Sequence, residues 1–338
     1  MQYGFSIKRK CYLLSVLLMT VWLTGCVQEE FESTPSPAGN GIRFTLTVPD
    51  VNLPSVSSRT MTGTGTAKKE DEIETVDILV FDMSKTPAVF LEWVSATGVT
   101  QDLADNSTVS FSAVLSPTTA STCIVVVANK ELDNIVSGFT KGATTKVEAM
   151  EKMLHTQTGK WLADGSTTGG YTRIPMYGEK VISKITPSMN PITEINMKRM
   201  LARIDIRNNS VTSNFTVEEV YLANYNTTGY IAPAWNTNGQ VTEPAPDTPV
   251  LPTGSGKMTE EGDAIRYSVN GNTPYDGEIY TFESLAAEDA GGAGADGEAS
   301  RKDATCLIVK GRIGTGESTF YRVDFTKNGN TGEQVEYL

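Results

Sequence analysis

The stretch GIRFTLTV at residues 41–48 alternates between apolar and polar side chains. Successive side chains of a β-strand point to opposite faces, so the apolar side chains would all share one face. The apolar residues are Ile42, Phe44, Leu46 and Val48, and the polar residues between them are Arg43, Thr45 and Thr47. This alternation predicts a strand with one face against a core and the other face in solvent.

Apolar segments of strand length recur along the rest of the chain, separated by turns rich in Gly, Asn and Pro. The candidates are TVDILVFD (75–82), AVFLEWV (88–94), TVSFSAVL (108–115), TCIVVVAN (122–129), EKVISKI (179–185), EINMKR (194–199), ARIDIRN (202–208), TVEEVYLAN (216–224), AIRYSV (264–269), EIYTFES (278–284), CLIVKGRI (306–313) and TFYRVDF (319–325). Only KVEAMEKMLH (146–155) has the apolar spacing of a helix. Many short strands with few helices between them predict an all-β fold of antiparallel sandwiches.

The composition is that of a foldable protein, with 338 residues, 39% hydrophobic and 20% charged side chains. At roughly 150 residues per domain, this length favours two domains. Lys and Arg number 28 against 40 Asp and Glu, which gives a formal net charge of −12. Nucleic-acid binding requires a positive surface, so the acidic balance excludes DNA and RNA as expected partners.

The chain contains a single histidine, His155. Imidazole is the usual general base near neutral pH and the commonest ligand of transition metals, so its scarcity argues against an enzyme and against metal binding. We assign no catalytic residue, no metal ligand and no cofactor, and we expect His155 to be solvated or at a helix end. The charged run KKEDE (68–72) lacks the ligand spacing of a calcium loop, and we expect it to be solvated.

The N-terminus has the features of a bacterial export signal. Lys8, Arg9 and Lys10 precede an apolar run at 11–23 that is too short to span a bilayer. The run ends in LTGC (23–26), which resembles a lipobox and would make an acylated Cys26 the first residue after removal of residues 1–25. Acyl chains would hold the protein on a membrane without a spanning helix. An ordinary signal peptide with an incidental cysteine is the alternative.

Two of the four cysteines, Cys123 and Cys306, lie beyond the leader and the LTGC motif. Both fall in apolar strand candidates that are far apart in the sequence. One such pair is not a disulfide framework, so we expect two buried free thiols.

The order of motifs behind the lipobox resembles the fimbrillin superfamily of Bacteroidales, the FimA/Mfa-like subunits of type V fimbriae. The motifs are LTGC, GIRFTLTV, SRT (58–60), IETVDILVFD (73–82), CIVVVAN (123–129), IPMYGEK (174–180), MKRMLARIDIRN (197–208), VEEVYLANYNTTGYIAP (217–233), YTFESLA (280–286), CLIVKGRI and FYRVDF. The acidic stretch at 27–32 is also similar to the surface-export signals of lipoproteins in such bacteria. The resemblance implies two tandem transthyretin-like antiparallel β-sandwich domains, at 60–198 and 199–338, behind a propeptide at 26–59.

The resemblance also implies how such a subunit matures. An arginine-specific protease would cut between Arg59 and Thr60, in a Ser/Thr/Gly-rich loop of the kind that proteases prefer. Arg43 would be protected, because it lies in the first strand. The lipid on Cys26 and the strand carrying Ile42, Phe44, Leu46 and Val48 would then leave. Another fimbrial subunit would add a strand in the vacated groove through main-chain pairing. The implied function is a structural or adhesive subunit of a surface fimbrium, at its tip or in its shaft.

Two alternatives stay open. One is an uncleaved subunit of the same family that anchors the fimbrium to the outer membrane through its lipid. The other is a surface lipoprotein that binds carbohydrate or hydrolyses it, with Trp161 and Trp235 as the tryptophans that could be exposed. The adhesive reading likewise includes a host or bacterial glycan or protein as ligand.

The C-terminal end departs from the family pattern. Family members continue beyond the equivalent of FYRVDF with a further strand, whereas this sequence ends at QVEYL (334–338). We therefore expect an unpaired sheet edge in the second domain. A subunit that accepts a strand without donating one would sit at the distal tip, and a truncated sequence is the alternative explanation.

Overall fold

The structure is a computed structural model, and it describes residues 42–47, 70–101, 108–162, 172–206, 214–243, 246, 248–255, 264–268, 275–290 and 302–326. These residues all belong to one unit, Gly41–Leu338, by their mutual contacts. The predicted signal peptide, Cys26, Val48, Arg59 and Thr60 lie outside the described residues. The predictions made for them are therefore not addressed by the fold.

Strands account for 46% of the described residues and helices for 6%, so the predicted all-β class is confirmed. The strands are β1 (Ile42–Thr47), β2 (Val76–Asp82), β3 (Val89–Ser95), β4 (Thr97–Gln101), β5 (Thr108–Ala113), β6 (Thr122–Ala128), β7 (Leu154–Thr156), β8 (Met176–Ile182), β9 (Ile192–Asn196), β10 (Lys198–Arg199), β11 (Leu201–Ile206), β12 (Phe215–Ala223), β13 (Thr228–Tyr230), β14 (Ile265–Ser268), β15 (Tyr275–Phe282), β16 (Cys306–Ile313) and β17 (Thr319–Asp324). The helices are α1 (Asp133–Val136) and α2 (Lys146–Lys152).

Two sheets form a sandwich in the N-terminal half. The first sheet has the order β4-β5-β1-β9, and the second has the order β10-β8-β6-β2-β3. Their inner faces share one hydrophobic cluster, to which Phe44 and Phe111 come from the first sheet and Ile78, Val126 and Met176 from the second. The alternation read from the sequence of β1 and β5 thus reflects a sheet with one buried face.

The second sheet is buried on both faces at β2 and β6. Ile78 and Val80 of β2 belong to the cluster inside the sandwich, whereas Leu79 and Phe81 belong to a second cluster on the opposite face. This second cluster also includes Met150 of α2 and residues of β15. Burial on both faces explains why these strands read as continuous apolar runs instead of alternating.

The C-terminal half contains a sheet of order β14-β12-β16-β17 and a two-stranded pair, β11-β15. Val220, Leu222 and Tyr267 of the sheet share a third cluster with Ile279 of β15. The predicted domain boundary between 198 and 199 falls inside β10, and the second cluster contains residues from both sides of it. The division into two domains stays a prediction.

Strand pairing is antiparallel throughout the described sheets except at one place. β1 and β9 run parallel, with Phe44 beside Ile192 and Leu46 beside Ile195. The prediction of antiparallel sheets is therefore confirmed, and this pair is the exception among the described strands. A long connection through β2–β8 separates the two strands, and parallel neighbours require such a crossover.

The predicted helix is shorter than the sequence pattern indicated, and His155 does not lie on it. α2 begins with a capping box between Thr145 and Glu148 and ends at Lys152. The chain then forms β7, which pairs with β13 so that His155 lies opposite Gly229. The expectation of a solvated or helix-end histidine was therefore wrong, because non-local pairing outweighs the continuing helical pattern.

His155 lies instead among aromatic rings. Its ring centroid is 5.1 Å from that of Trp161 and 6.3 Å from that of Phe282. Its Nδ1 is buried without a hydrogen-bond partner in the described structure. Burial, helped by the charge of Lys130, lowers the pKa of His155 from 6.5 to about 4. The imidazole is therefore neutral at physiological pH.

The two tryptophans considered for sugar stacking are both packed against the second cluster. Trp161 is buried, and its indole N–H donates to the backbone carbonyl of Thr172 at 2.9 Å. Trp235 is half-buried and meets Tyr230 edge to face, with ring centroids 4.9 Å apart. The expectation that these rings could be exposed was wrong for Trp161 and holds only in part for Trp235.

The two cysteines predicted as free thiols are both free and buried. Burial in the second cluster raises the pKa of the Cys123 thiol to about 12. An inert structural role follows, because the reactive thiolate form is suppressed.

Within the described residues, no helix is long and apolar enough to cross a bilayer. Across the same ranges, His, Cys, Asp and Glu side chains do not form a group that could hold a metal ion.

Replacing His155 by Gln should reduce the loss of stability on acidification. Between about pH 6.5 and pH 4 the unfolded chain binds a proton at His155 that the folded chain does not bind, so stability falls as the pH falls. After allowance for solvent screening, we expect the His155 contribution to be about 1–2 kcal/mol. Urea unfolding followed by tryptophan fluorescence at pH 7.5 and pH 4.5 measures it.

Carboxylates that titrate in the same range are present in both proteins, so their contribution cancels in the comparison. Equal losses of unfolding free energy in the wild type and in His155→Gln would contradict this prediction.

Candidate functional site around the first strand

β1 lies inside the first sheet, with a strand bonded on each side. On one side it pairs antiparallel with β5, from Ile42 opposite Ala113 to Thr47 opposite Thr108. On the other side it pairs parallel with β9. Taking β1 away would therefore leave unpaired main-chain groups on two strands at once, and unpaired edges of this kind are templates for another strand.

The three described apolar residues of β1 are all buried in the cluster inside the sandwich. Ile42 is 5% exposed, Phe44 1% and Leu46 0%. Phe44 stacks on Phe111 of β5, with ring centroids 5.0 Å apart and ring planes 6° from parallel. Burial of three such side chains is worth roughly 1.5–3 kcal/mol each before entropy costs. We call the space that these three side chains fill between β5 and β9 the β1 groove.

A bulge shapes the β9 side of the β1 groove. The register with β1 shifts so that Ile192 and Ile195, three residues apart, both point into the core. Without the extra residue they would lie on opposite faces of the sheet. Glu194 accommodates the bulge with a φ of 61°, in the left-handed region. The Lys180 ammonium donates to the backbone carbonyl of Thr193 at 2.5 Å and thereby satisfies a carbonyl in the bulge.

The end of β1 and the next described residues are both held in place. The backbone N–H of Met197 donates to the carbonyl of Thr47 at 2.9 Å. The described chain resumes at Glu70, whose carboxylate is 4% exposed and accepts hydrogen bonds from Arg203 and Tyr280. The expectation that the 68–72 run is solvated was therefore wrong at Glu70.

The structure brings together Ile42, Phe44 and Leu46, which the sequence predicted as neighbours on one face. Arg43 lies on the same strand, opposite Ser112, so its backbone is paired as expected. The sequence interpretation did not include the residues that complete the groove, namely Phe111, Ile192 and Ile195. The alternation of TVSFSAVL contained a signal for Phe111, whereas the bulge that orients the two isoleucines left no local signal.

The unpaired edge expected in the C-terminal half stays a prediction, and β17 is the strand that it concerns. Within the described part of the chain, β17 pairs with β16 on one side and is the last strand of its sheet. Phe320 on this strand is 54% exposed. Residues 327–338, which follow it, lie outside the described ranges.

A cleft of about 460 Å³ lies where β8, β9 and β10 meet residues 233–243. Each of its three glutamates lies beside a lysine, in the pairs Lys146–Glu179 at 2.6 Å, Lys180–Glu194 at 3.5 Å and Lys198–Glu243. Its lining contains one aromatic ring, that of Tyr177, which is buried. Sugars bind best where an exposed ring can stack on them, and this cleft does not present one.

The chain was compared with known proteins. Among the solved structures similar to it are the tip fimbrial protein Mfa3 of Porphyromonas gingivalis with a C-terminal truncation and a fimbrial assembly protein of Parabacteroides distasonis. The first is 15% identical, with a TM-score of 0.42, over 83% of this chain and 81% of that one. The second is 12% identical, with a TM-score of 0.40, over 86% of this chain and 87% of that one.

The comparison with curated proteins gives no match. The model of one protein family, the major fimbrial subunit protein (FimA), matches residues 42–245. This match begins at the first residue of β1 and covers more than half of the 338 residues. The chain therefore belongs to the major fimbrial subunit (FimA) family.

Proposed function

We propose that this fimbrial subunit is exported as a lipoprotein, cut between Arg59 and Thr60, and joined to a neighbouring subunit by a strand that replaces β1. Membership of the FimA family makes the chain a structural subunit of a cell-surface fimbrium. The observation that supports the finer proposal is the position of β1, between two strands and with its apolar face in the core. A removable strand in this position leaves a site that only another strand can fill completely.

The order of the segments supports a single maturation event. Cys26 precedes β1, and Arg59 follows it, so one cut after Arg59 would separate both the lipid and β1 from the rest of the chain. Release from the membrane and opening of the β1 groove would then occur together. A subunit could therefore not accept a neighbour's strand while its own lipid still held it on the outer membrane.

The uncleaved anchor subunit is the second candidate function. In that case β1 stays in the sheet and the lipid stays on Cys26. A carbohydrate ligand is an elaboration of either candidate, although the described cleft offers no exposed ring. The N-terminus of the assembled subunit separates the two candidates.

Replacing Arg59 by Ala should abolish maturation. In surface-sheared fimbriae from the native organism, mass spectrometry should find wild-type subunits that begin at Thr60. The Arg59→Ala subunit should persist as a precursor that begins at a lipidated Cys26, and it should be lost from fibres. Arg43→Ala is the matched control, because Arg43 lies in a paired strand and its loss should leave the start at Thr60 unchanged. Wild-type fibres whose subunits begin at Cys26 would contradict the proposal.

Replacing Phe44 by Ala should weaken the hold of the sheet on β1. Loss of a 1% exposed ring that stacks on Phe111 should cost about 3–5 kcal/mol of unfolding free energy. Thr47→Ala on the same strand is the control, since Thr47 is exposed, and it should change the unfolding free energy by less than about 0.5 kcal/mol. Guanidinium unfolding of the uncut chain measures both. Equal effects of the two substitutions would argue against Phe44 as the main contact in the groove.

A further inference from the structure

Residues 70–75, called the retained segment from here on, precede β2 and are not part of a sheet. Most backbone groups in a protein pair with other backbone groups. In the retained segment, however, side chains from distant parts of the chain bind many of the backbone groups. The side chains are those of Gln101, Asn129 and Arg199.

The side chains of Gln101 and Asn129 bind the retained segment in the same way, at backbone groups that are offset by one residue. The Gln101 amide donates to the carbonyl of Asp71 at 2.7 Å and accepts from the N–H of Ile73 at 3.0 Å. The Asn129 amide donates to the carbonyl of Glu72 at 2.8 Å and accepts from the N–H of Glu74 at 2.9 Å. A side-chain amide carries one donor group and one acceptor, like a peptide unit, so each replaces one unit of a neighbouring strand.

Backbone conformation supports this use of Asn129. Its φ is 59°, in the left-handed region that asparagine tolerates better than most residues. Its own N–H donates to the carbonyl of Thr75 at 2.9 Å. The turn after β6 thus binds the last part of the retained segment at three points.

A buried carboxylate holds the first residue of the segment. One nitrogen of the Arg203 guanidinium lies 2.9 Å and 3.1 Å from the two carboxylate oxygens of Glu70, and the hydroxyl of Tyr280 also donates to this group. Arg199 Nε donates to the backbone carbonyl of Glu70 at 3.0 Å. The Glu70 side chain is 4% exposed, so breaking these contacts would leave a charge in a desolvated site.

None of the contacts named above uses a residue of β1. They come from β4, the turn after β6, the β10–β11 region and β15. The named hydrogen bonds of the segment therefore do not depend on β1, although the Ile73 side chain packs in the cluster that β1 completes. The chain between the two fixed points, Thr47 at the end of β1 and Glu70, is residues 48–69, and Arg59 falls near its middle.

We propose that the retained segment limits how much of the chain leaves with β1. The contacts of the buried Glu70 carboxylate and the hydrogen bonds of the Gln101 and Asn129 side-chain amides keep the chain from residue 70 onward in place while β1 departs. We call this role of the segment the stop. This inference rests on the proposed maturation. Glu70, Arg203 and Tyr280 are positioning residues in this process, since their role is to hold the chain in place and not to take part in the cleavage. With these contacts intact, cleavage opens the β1 groove, and the retained segment and β2 stay folded.

Hydrogen exchange measured by mass spectrometry on the full chain, before and after limited trypsin cleavage between Thr47 and Glu70, tests the stop. Arg59, Lys68 and Lys69 offer cleavage sites there. After the cut, amides of β5 that face β1 should exchange at least tenfold faster, because β1 can now leave. The amides of Ile73 and Glu74 should keep their exchange rates within twofold. Joint acceleration of β5 and the retained segment in the wild type would overturn the proposal.

Glu70→Gln removes the charge and keeps the shape of the side chain. In the cut chain it should speed exchange at Ile73 and Glu74 at least tenfold and leave β6 protected. Glu74→Gln is the matched control, because the Glu74 side chain is 60% exposed and its ion pair with Arg173 at 2.5 Å lies at the surface. The control should match the wild type within twofold, and equal behaviour of the two variants would overturn the proposal.

If Glu70→Gln does not fold, Tyr280→Phe removes only the hydroxyl donor and should speed exchange at the same amides about threefold. Unchanged exchange in Tyr280→Phe would then overturn the proposal. Any cut within residues 48–69 serves the measurement, so the result does not depend on Arg59 as the natural site. A natural N-terminus other than Thr60 would overturn the proposed maturation and leave the stop standing.

Discussion

The pairing of β1 with β5 and β9 is the constraint on which the N-terminal half depends. β1 closes the first sheet, and its apolar side chains complete the cluster that both sheets share. A strand held at both edges and on one face cannot leave without exposing all three sets of contacts. In the proposed maturation, the same arrangement that makes β1 necessary to the fold would make its vacated place suited to another strand of similar pattern.

The second sheet forms the wall of the β1 groove that faces the first sheet. β2 and β6 are buried on both faces, so the wall of the β1 groove that they form is supported from behind by α2 and by residues of β15. Lys146 adds a fixed point on that far side, where its ammonium lies 2.6 Å from Glu179 with almost no exposure. Removal of β1 would therefore open the cluster that the two sheets share, while the second sheet keeps the cluster on its other face.

Local pattern was enough to predict the class of fold and the buried face of the first strand, because alternation in β1 and β5 records which face meets the core. It was not enough where distant pairing decides. β7 and β13 are three residues long and exist only because each binds the other, and they end α2 earlier than its apolar spacing indicated. Glu70 stands in a charged run that resembles a solvated surface, yet its partners lie 133 and 210 residues further along the chain. Alternation in the sequence indicated the β5 side of the groove, whereas the bulge at Glu194 that shapes the β9 side leaves no pattern in the sequence.

The mixed pairing of β1 has a consequence for chain polarity. A strand that enters the vacated place in the direction of β1 finds β5 antiparallel and β9 parallel. A strand that enters in the reverse direction finds β5 parallel and β9 antiparallel. Main-chain bonding thus offers one parallel and one antiparallel neighbour in either direction. For an entering strand, the flat face of Phe111 and the uneven spacing of Ile192 and Ile195 along the opposite wall would then help to set the direction.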